Sequence, residues 1–362
     1  MRNPARALSR ISEFARRNRV AIGLLSVGAA LRSMVLLLVR PLTDVYYYDT
    51  EAARAIVQGV SPYGHFYGGL PLGILSTPGA SNVFTYLPFT AIFFVPFYLA
   101  GDVRLGLILA DTVIGACLVW SGYKRSLLAS SAYLLFPFTI LLSTVFLNNT
   151  VVAMLFIALF FAMERRGKGL VGASFFGVAL ASIQFSWFIF PFVALYYLRE
   201  GRWKEPLVIV GVAAAIIAPY FFANPSAFVF DTLMFQFVRP TVAVVSYFGP
   251  LGYYVNLALN AFLLSSLNFS LPLYARLALV GSILPVFLYK ARGSTRVALY
   301  SGLYLLFSVF VLSNDFFVSY TELPFFLILL YFGSPRVKRR MTAMGRGGGG
   351  ILKSVRRGVG ED

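Results

Sequence analysis

Long apolar runs follow one another along almost the whole chain, and this succession constrains the fold more than any motif. They fall at 20–39, 86–100, 104–121, 127–146, 149–163, 170–183, 186–198, 206–222, 250–266, 271–289, 297–312 and 323–333. A bilayer core takes about 20 residues of helix. A chain of 362 residues that is 59% hydrophobic and only 12% charged holds more apolar surface than a water-soluble fold of that size can cover. The sequence therefore predicts an all-α, polytopic transmembrane helix bundle.

The charges sort by position. A net charge of +17 would suggest nucleic acid in a soluble protein. Here the bases fall in short clusters between apolar runs, at Lys124-Arg125, Arg165 to Lys168, Arg199 to Lys204, Lys290 to Arg296 and Arg336 to Arg340. That is the pattern of cytoplasmic loops, and it excludes a nucleic-acid partner. Residues 1–19 read as a basic amphipathic segment on the cytoplasmic leaflet, with Leu8, Ile11 and Phe14 at helical spacing among six arginines. The run 20–39 is too long for a secretory signal and lacks a small-residue cleavage site, so it reads as a retained first span. Arg32 within it either faces the bundle interior or snorkels along its stem. Residues 334–362, with GRGGGG ahead of ILKSVRRGVGED, read as a flexible basic cytoplasmic tail, either touching anionic lipid or simply solvated.

Residues 20–333 then form one transmembrane domain with two long outer loops, 40–85 and 223–249. Keeping every basic cluster inside requires an odd number of crossings between the first loop and Lys124. Two apolar runs lie there, so one does not cross, and 86–100 is the better choice because Pro88 and Pro96 weaken it as a helix. The same parity sets aside 250–266. About ten true spans and two half-buried helices result, with both termini cytoplasmic.

The chemistry concentrates in the first loop. Asp44, Asp49 and Glu51 stand there in a chain with fourteen acidic residues. A juxtamembrane helix is expected from about Thr50, ending at Gly59 and Ser61-Pro62. Tyr46, Tyr47 and Tyr48 suit either stacking on sugar faces or an aromatic belt. The second loop holds Asp231, Gln236, Arg239 and Ser246. Arg239 is the only Lys or Arg between Lys204 and Arg276, placed either for an anion such as a lipid phosphate or for Asp231. A third outer connection, 313–322, adds Asp315 and Glu322. The single cysteine, Cys117, excludes a disulfide framework, and the single histidine, His65, excludes multi-histidine metal sites. No Walker A, GxGxxG or Cys-x-x-Cys pattern occurs. Asn148-Asn149-Thr150 and Asn268-Phe269-Ser270 match the glycosylation acceptor pattern but abut spans, which reads as coincidence. An outer-loop aspartate beside a lipid-holding bundle suits a general base that deprotonates a hydroxyl attacking a sugar carbon.

Particular stretches carry a resemblance. Thr43-Asp44-Val45, Thr50-Glu51-Ala52-Ala53-Arg54 and Gly59-Val60-Ser61-Pro62-Tyr63 resemble the first outer loop of the GPI mannosyltransferase I catalytic subunit family and its archaeal relatives, within the GT-C superfamily. Tyr86-Leu87-Pro88 with Asp111 looks like that family's next span pair, and Gly177 to Pro191 like its short hairpin. Phe235 to Arg239 with Ser246-Tyr247-Phe248 is similar to its second outer loop. The resemblance implies a polyprenyl-phosphate-sugar donor, a glycan or lipid acceptor, membrane lipid around the bundle, a small membrane subunit as a further partner, and the cell membrane of an archaeon or bacterium. It implies Asp44 as catalytic base, Arg239 as lipid-phosphate contact, and Asp49, Glu51, Tyr46, Tyr48, Gln236 and Ser246 around the donor or acceptor. The chain departs from the family pattern where Tyr46 replaces the second acid, where Gln236 replaces a histidine, and around Ser319-Tyr320, which lacks a lysine. No cofactor is fixed by the residues, and a divalent cation stays open. The expected function is transfer of mannose or another hexose on the outer membrane face, most simply with inversion. A lipid-linked sugar transporter or flippase, or a non-catalytic subunit of a glycan-assembly complex, are the alternatives.

Overall fold

The structure, a computed structural model, describes residues 13, 16, 18–67, 83–120, 125–238, 245–247, 253–255, 258–314 and 318–332. Their regular secondary structure is helical apart from one antiparallel pair of short strands, β1 (Val245–Tyr247) and β2 (Tyr253–Val255), with Ser246 opposite Tyr254. Three helices are long and apolar enough to cross a membrane: α1 (Arg19–Leu38), and those at Lys204–Ala223 and Leu273–Lys290. α1 lies one residue from the run read as the first span.

Two further stretches are sharply bent. α3 (Pro88–Leu99) meets α4 (Arg104–Val119) at 112°, and α5 (Ser126–Leu134) meets α6 (Pro137–Thr144) at 53°. Counting each bent pair as one span gives five candidates at most among the described residues, and shorter apolar helices make up the rest. The reason lies in the punctuation of the runs. Pro137 holds Phe136 in extended backbone and stops α5, while Gly101, at φ +102°, turns the chain between α3 and α4. α3 itself carries Pro96 and spans only 12 residues. By length the described helices do not add up to the ten spans expected.

The first loop also differs from its expectation. Its helix, α2 (Asp44–Val57), begins six residues before Thr50, so Asp44 occupies the first turn. The predicted end is found. Gly59, at φ +72°, closes the helix while its N–H donates to the Ile56 carbonyl and that of Val60 to Ala55, the Schellman pattern that glycine favours.

α7 (Thr150–Arg165) is the hub, apolar and buried along most of its length, with α4 on one side and α8 (Gly169–Leu180) on another. A helix apolar all round must be enclosed by others. The three long helices instead bury little of their surface within the protein, as helices facing lipid would. After α8 come a 3₁₀ turn (Gln184–Phe188), α9 (Phe190–Arg199) and α10 (Lys204–Ala223). α11 (Pro225–Val229), a π turn (Phe230–Met234) and α12 (Phe235–Val238) begin the second loop. α13 (Leu259–Leu267), α14 (Leu273–Lys290), α15 (Ser294–Leu312), a 3₁₀ turn (Val318–Thr321) and α16 (Glu322–Phe332) complete the fold.

Three arginines tie these helices together. Arg32 faces the interior and is fully buried, which settles the choice left open by sequence. Its Nε donates to Asp111 at 2.7 Å and its Nη1 to the carbonyl of Leu134 at 2.7 Å, a carbonyl that the Phe136-Pro137 break leaves without a helical donor. Tyr133 donates to the second oxygen of Asp111 at 2.5 Å. Arg104 pairs with Asp102 at 2.7 Å and donates to the carbonyls of Val39 and Thr144, at the C-terminal ends of α1 and α6. Arg202 bonds Glu164 at 2.9 Å and Glu205 at 2.9 Å and lies over the ring of Tyr197, joining α7, α9 and α10. The clusters at 165–168 and 199–204 are thereby held at the same end of the bundle.

Candidate functional site

The site is built where α2 enters the bundle. The Thr43 hydroxyl donates to the Phe146 carbonyl at 2.8 Å and the Leu42 N–H to Val145 at 3.0 Å, fixing the start of α2 against the end of α6. Asp44 then sits in the first turn, where the helix dipole favours a carboxylate. It is half-buried, while Tyr48, one turn on, and Asp49 are buried.

Asp49 has no exposure at all. Its Oδ1 accepts from Asn149 Nδ2 at 3.4 Å, and its Oδ2 has no hydrogen-bond partner among the described residues. The preceding residue, Asn148, donates from Nδ2 to Glu322 Oε2 at 2.7 Å, and Glu322 Oε1 is likewise buried without a partner. The Asn148-Asn149 pair thus bridges an acid of the first loop to an acid at the start of α16. Just before it, Leu147 holds φ at +41°, an uncommon conformation for a side-chain-bearing residue and a local strain at this junction.

Tyr86 closes the group. Burial pushes its phenol well above the ordinary value, the charges of Asp49, Tyr320 and Asp44 push the same way, and a bond to Asn149 opposes them. Asp44, Asp49, Asn149, Tyr86 and Tyr320 therefore share one neighbourhood, drawn from four separated stretches. Burial also raises the Asp49 carboxyl well above the carboxylate range, with the Asn149 bond opposing and Asp44 adding to the rise. Tyr48 is raised by burial and by Asp44. Burial thus favours the protonated form of Asp49 relative to an exposed carboxyl, beside a half-exposed Asp44.

The second loop joins the first beside this group. Gly64, at φ +77°, donates its N–H to Asp231 at 2.8 Å, and a side chain there would meet the Cβ of Ala227. Tyr63 packs edge-on against Phe228 and donates to the Tyr86 carbonyl at 2.8 Å. Burial raises the Asp231 carboxyl, opposed by the Gly64 N–H and by His65, which is exposed.

The remaining candidates fall as follows. Tyr46 lies on the other side of α2 from Asp44, edge-on to Tyr47 and beneath Arg104 at 5.8 Å, so it faces α4. Glu51, two turns beyond Asp44, is at the surface and paired with Arg54 at 3.0 Å. Gln236 lies on α12 and Ser246 on β1, and their side chains fall outside what is described; Arg239 lies outside the described residues altogether. Asn148, Asn149 and Tyr86 were not singled out as site residues from sequence. The Asn148-Asn149-Thr150 pattern was a signal, but for a different role. Among the described residues no three His, Cys, Asp or Glu side chains converge as a metal site.

No protein-family model matches this chain, and no curated protein matches it. The functional argument therefore rests on the site's own chemistry.

Proposed function

We propose that this chain is an integral membrane glycosyltransferase of the GT-C type, moving one hexose, mannose or a relative, from a polyprenyl-phosphate donor to a lipid-linked or cell-surface acceptor. One observation carries the reading: a half-exposed aspartate, Asp44, stands at a helix start beside a buried acid and aromatic side chains, where the two long loops meet. Asp44 takes the proton of an acceptor hydroxyl as its oxygen attacks the anomeric carbon. The bond from that carbon to the donor phosphate breaks, its electron pair leaves on the phosphate, and the configuration inverts. Asp49 and Tyr48 shape the pocket wall. Gln236, Ser246 and, for the phosphate, Arg239 are proposed for the second loop; Glu51 and Tyr46 are proposed at the rim. About ten crossings, with 86–100 and 250–266 half-buried and both termini cytoplasmic, remain the proposed topology in an archaeal or bacterial membrane.

A specific observation favours a second reading. Transporters place an arginine and acids deep in the bundle on interrupted helices. Arg32, Asp111 and Tyr133 lie fully buried beside the bend between α5 and α6. Reconstitution separates the two readings. With polyprenyl-phosphate-linked labelled hexose in liposomes, the transferase reading expects label in a new lipid or glycan product. Passage of the intact donor between leaflets, with no new product, favours the transporter.

A further inference from the structure

A second arginine inside the bundle is satisfied very differently from Arg32. Arg276, on the first turn of α14, is 5% exposed. Its Nη1 donates to the Leu312 carbonyl at 2.7 Å and to Asn314 Oδ1 at 2.9 Å, and both bonds fall on the end of α15 and the connection that leads to Tyr320 and Glu322. Among the described residues Nε is buried without a partner, Nη2 makes no hydrogen bond and Arg276 forms no ion pair. The spent nitrogen leaves the Nε–Nη2 edge, the flat fork that suits two oxygens of one phosphate or carboxylate. A buried guanidinium with no carboxylate paired to it among the described residues is costly, and the Leu312 carbonyl at a helix end offsets only part of that cost.

Two neighbours point to the kind of anion. Asn314 Nδ2 donates to the Phe237 carbonyl of α12 at 3.4 Å, so Arg276 stands against the second loop. Leu279, three residues on and on the same side of α14, and Leu277 next to it in sequence are 41% and 50% exposed, an apolar flank for a hydrocarbon chain. We infer that Arg276 binds the phosphate headgroup of an anionic lipid whose chain lies along α14. The inference deepens the transferase reading and rests on it for the lipid's identity as the donor; the binding itself does not require transfer.

The test uses the full chain in nanodiscs of neutral phosphatidylcholine. A polyprenyl monophosphate, the matching uncharged polyprenol and inorganic phosphate are the probes. Wild type is expected to bind the polyprenyl monophosphate at least about tenfold more tightly than the polyprenol, and Arg276→Gln to lose about that factor. Arg276→Lys, which keeps the charge but not the fork, is expected to fall between them. Where Arg276→Gln does not fold, labelling wild type with phenylglyoxal serves instead, with the polyprenyl monophosphate expected to protect Arg276. Equal binding of phosphate and alcohol, unchanged affinity in folded Arg276→Gln, or an unprotected Arg276 would overturn the inference. Inorganic phosphate binding as tightly as the lipid would overturn its lipid part. A protein that binds in this way but transfers no sugar would sink the transferase reading and leave the headgroup site standing.

Discussion

Two buried polar groups in this molecule are put together in opposite ways. Around Arg32, the guanidinium, the Asp111 carboxylate and the Tyr133 hydroxyl all have partners, and the Leu134 carbonyl freed by the helix break is capped. Around Asn148-Asn149, two acids each keep one buried oxygen without a donor among the described residues, next to a strained Leu147. A buried ion pair with all its bonds made holds helices in register, whereas unspent acid oxygens are tolerated where something else needs them. The first group reads as a clasp and the second as a working site.

The comparison can be broken by mutation. Asp111→Asn leaves Arg32 charged and buried without a counterion, and is expected to cost about 3–5 kcal/mol of stability. Unfolding in detergent would show it, while sugar transfer per folded molecule should hold. Asn149→Ala removes the one donor to Asp49 and is expected to cost about 1–3 kcal/mol; the same unfolding experiment checks it, and here transfer should fall as well. A cost as large as that of Asp111→Asn, with transfer intact, would make both groups clasps.

The pH response sharpens the distinction. The folded protein holds the Asp49 proton more tightly than the unfolded chain, so the contribution of Asp49 to stability is fully present below the ordinary carboxylate pKa of about 3.9. That contribution is then lost as the pH rises from there through the raised value of folded Asp49. Asp49→Asn should flatten that decline, seen as a thermal midpoint that varies less with pH than in wild type. An unchanged slope would contradict a raised Asp49 carboxyl. The smallest effect is expected from Arg54→Gln, which removes an exposed pair with Glu51 and should leave the thermal midpoint unchanged.

How much of this was legible in the sequence depended on range. Helix content, the first long apolar helix and the Gly59 stop follow from local pattern, and they are found. The start of α2 was read too late because what fixes it is distant, the Phe146 carbonyl that binds Thr43. Pro137 cuts the apolar run 127–146 into a bent pair, and hydrophobicity alone reads that pair as one straight span. Asp44 and Asp49 could be picked out as scarce acids in a polar stretch. Their neighbours could not, since Asn149 lies 100 residues from Asp49 and Glu322 lies 174 from Asn148. Asp231 shows the same lesson, for its donor is the Gly64 N–H, 167 residues away.

The central claim is that Asp44 is the base, and one measurement meets it directly. Wild type, Asp44→Asn and Asp111→Asn are reconstituted in one membrane preparation, and labelled hexose transfer from a polyprenyl-phosphate donor is counted per folded molecule. The account predicts that Asp44→Asn keeps its thermal midpoint and loses transfer by about 10²–10⁴-fold, while Asp111→Asn does the reverse. Transfer by folded Asp44→Asn at the wild-type rate would contradict it.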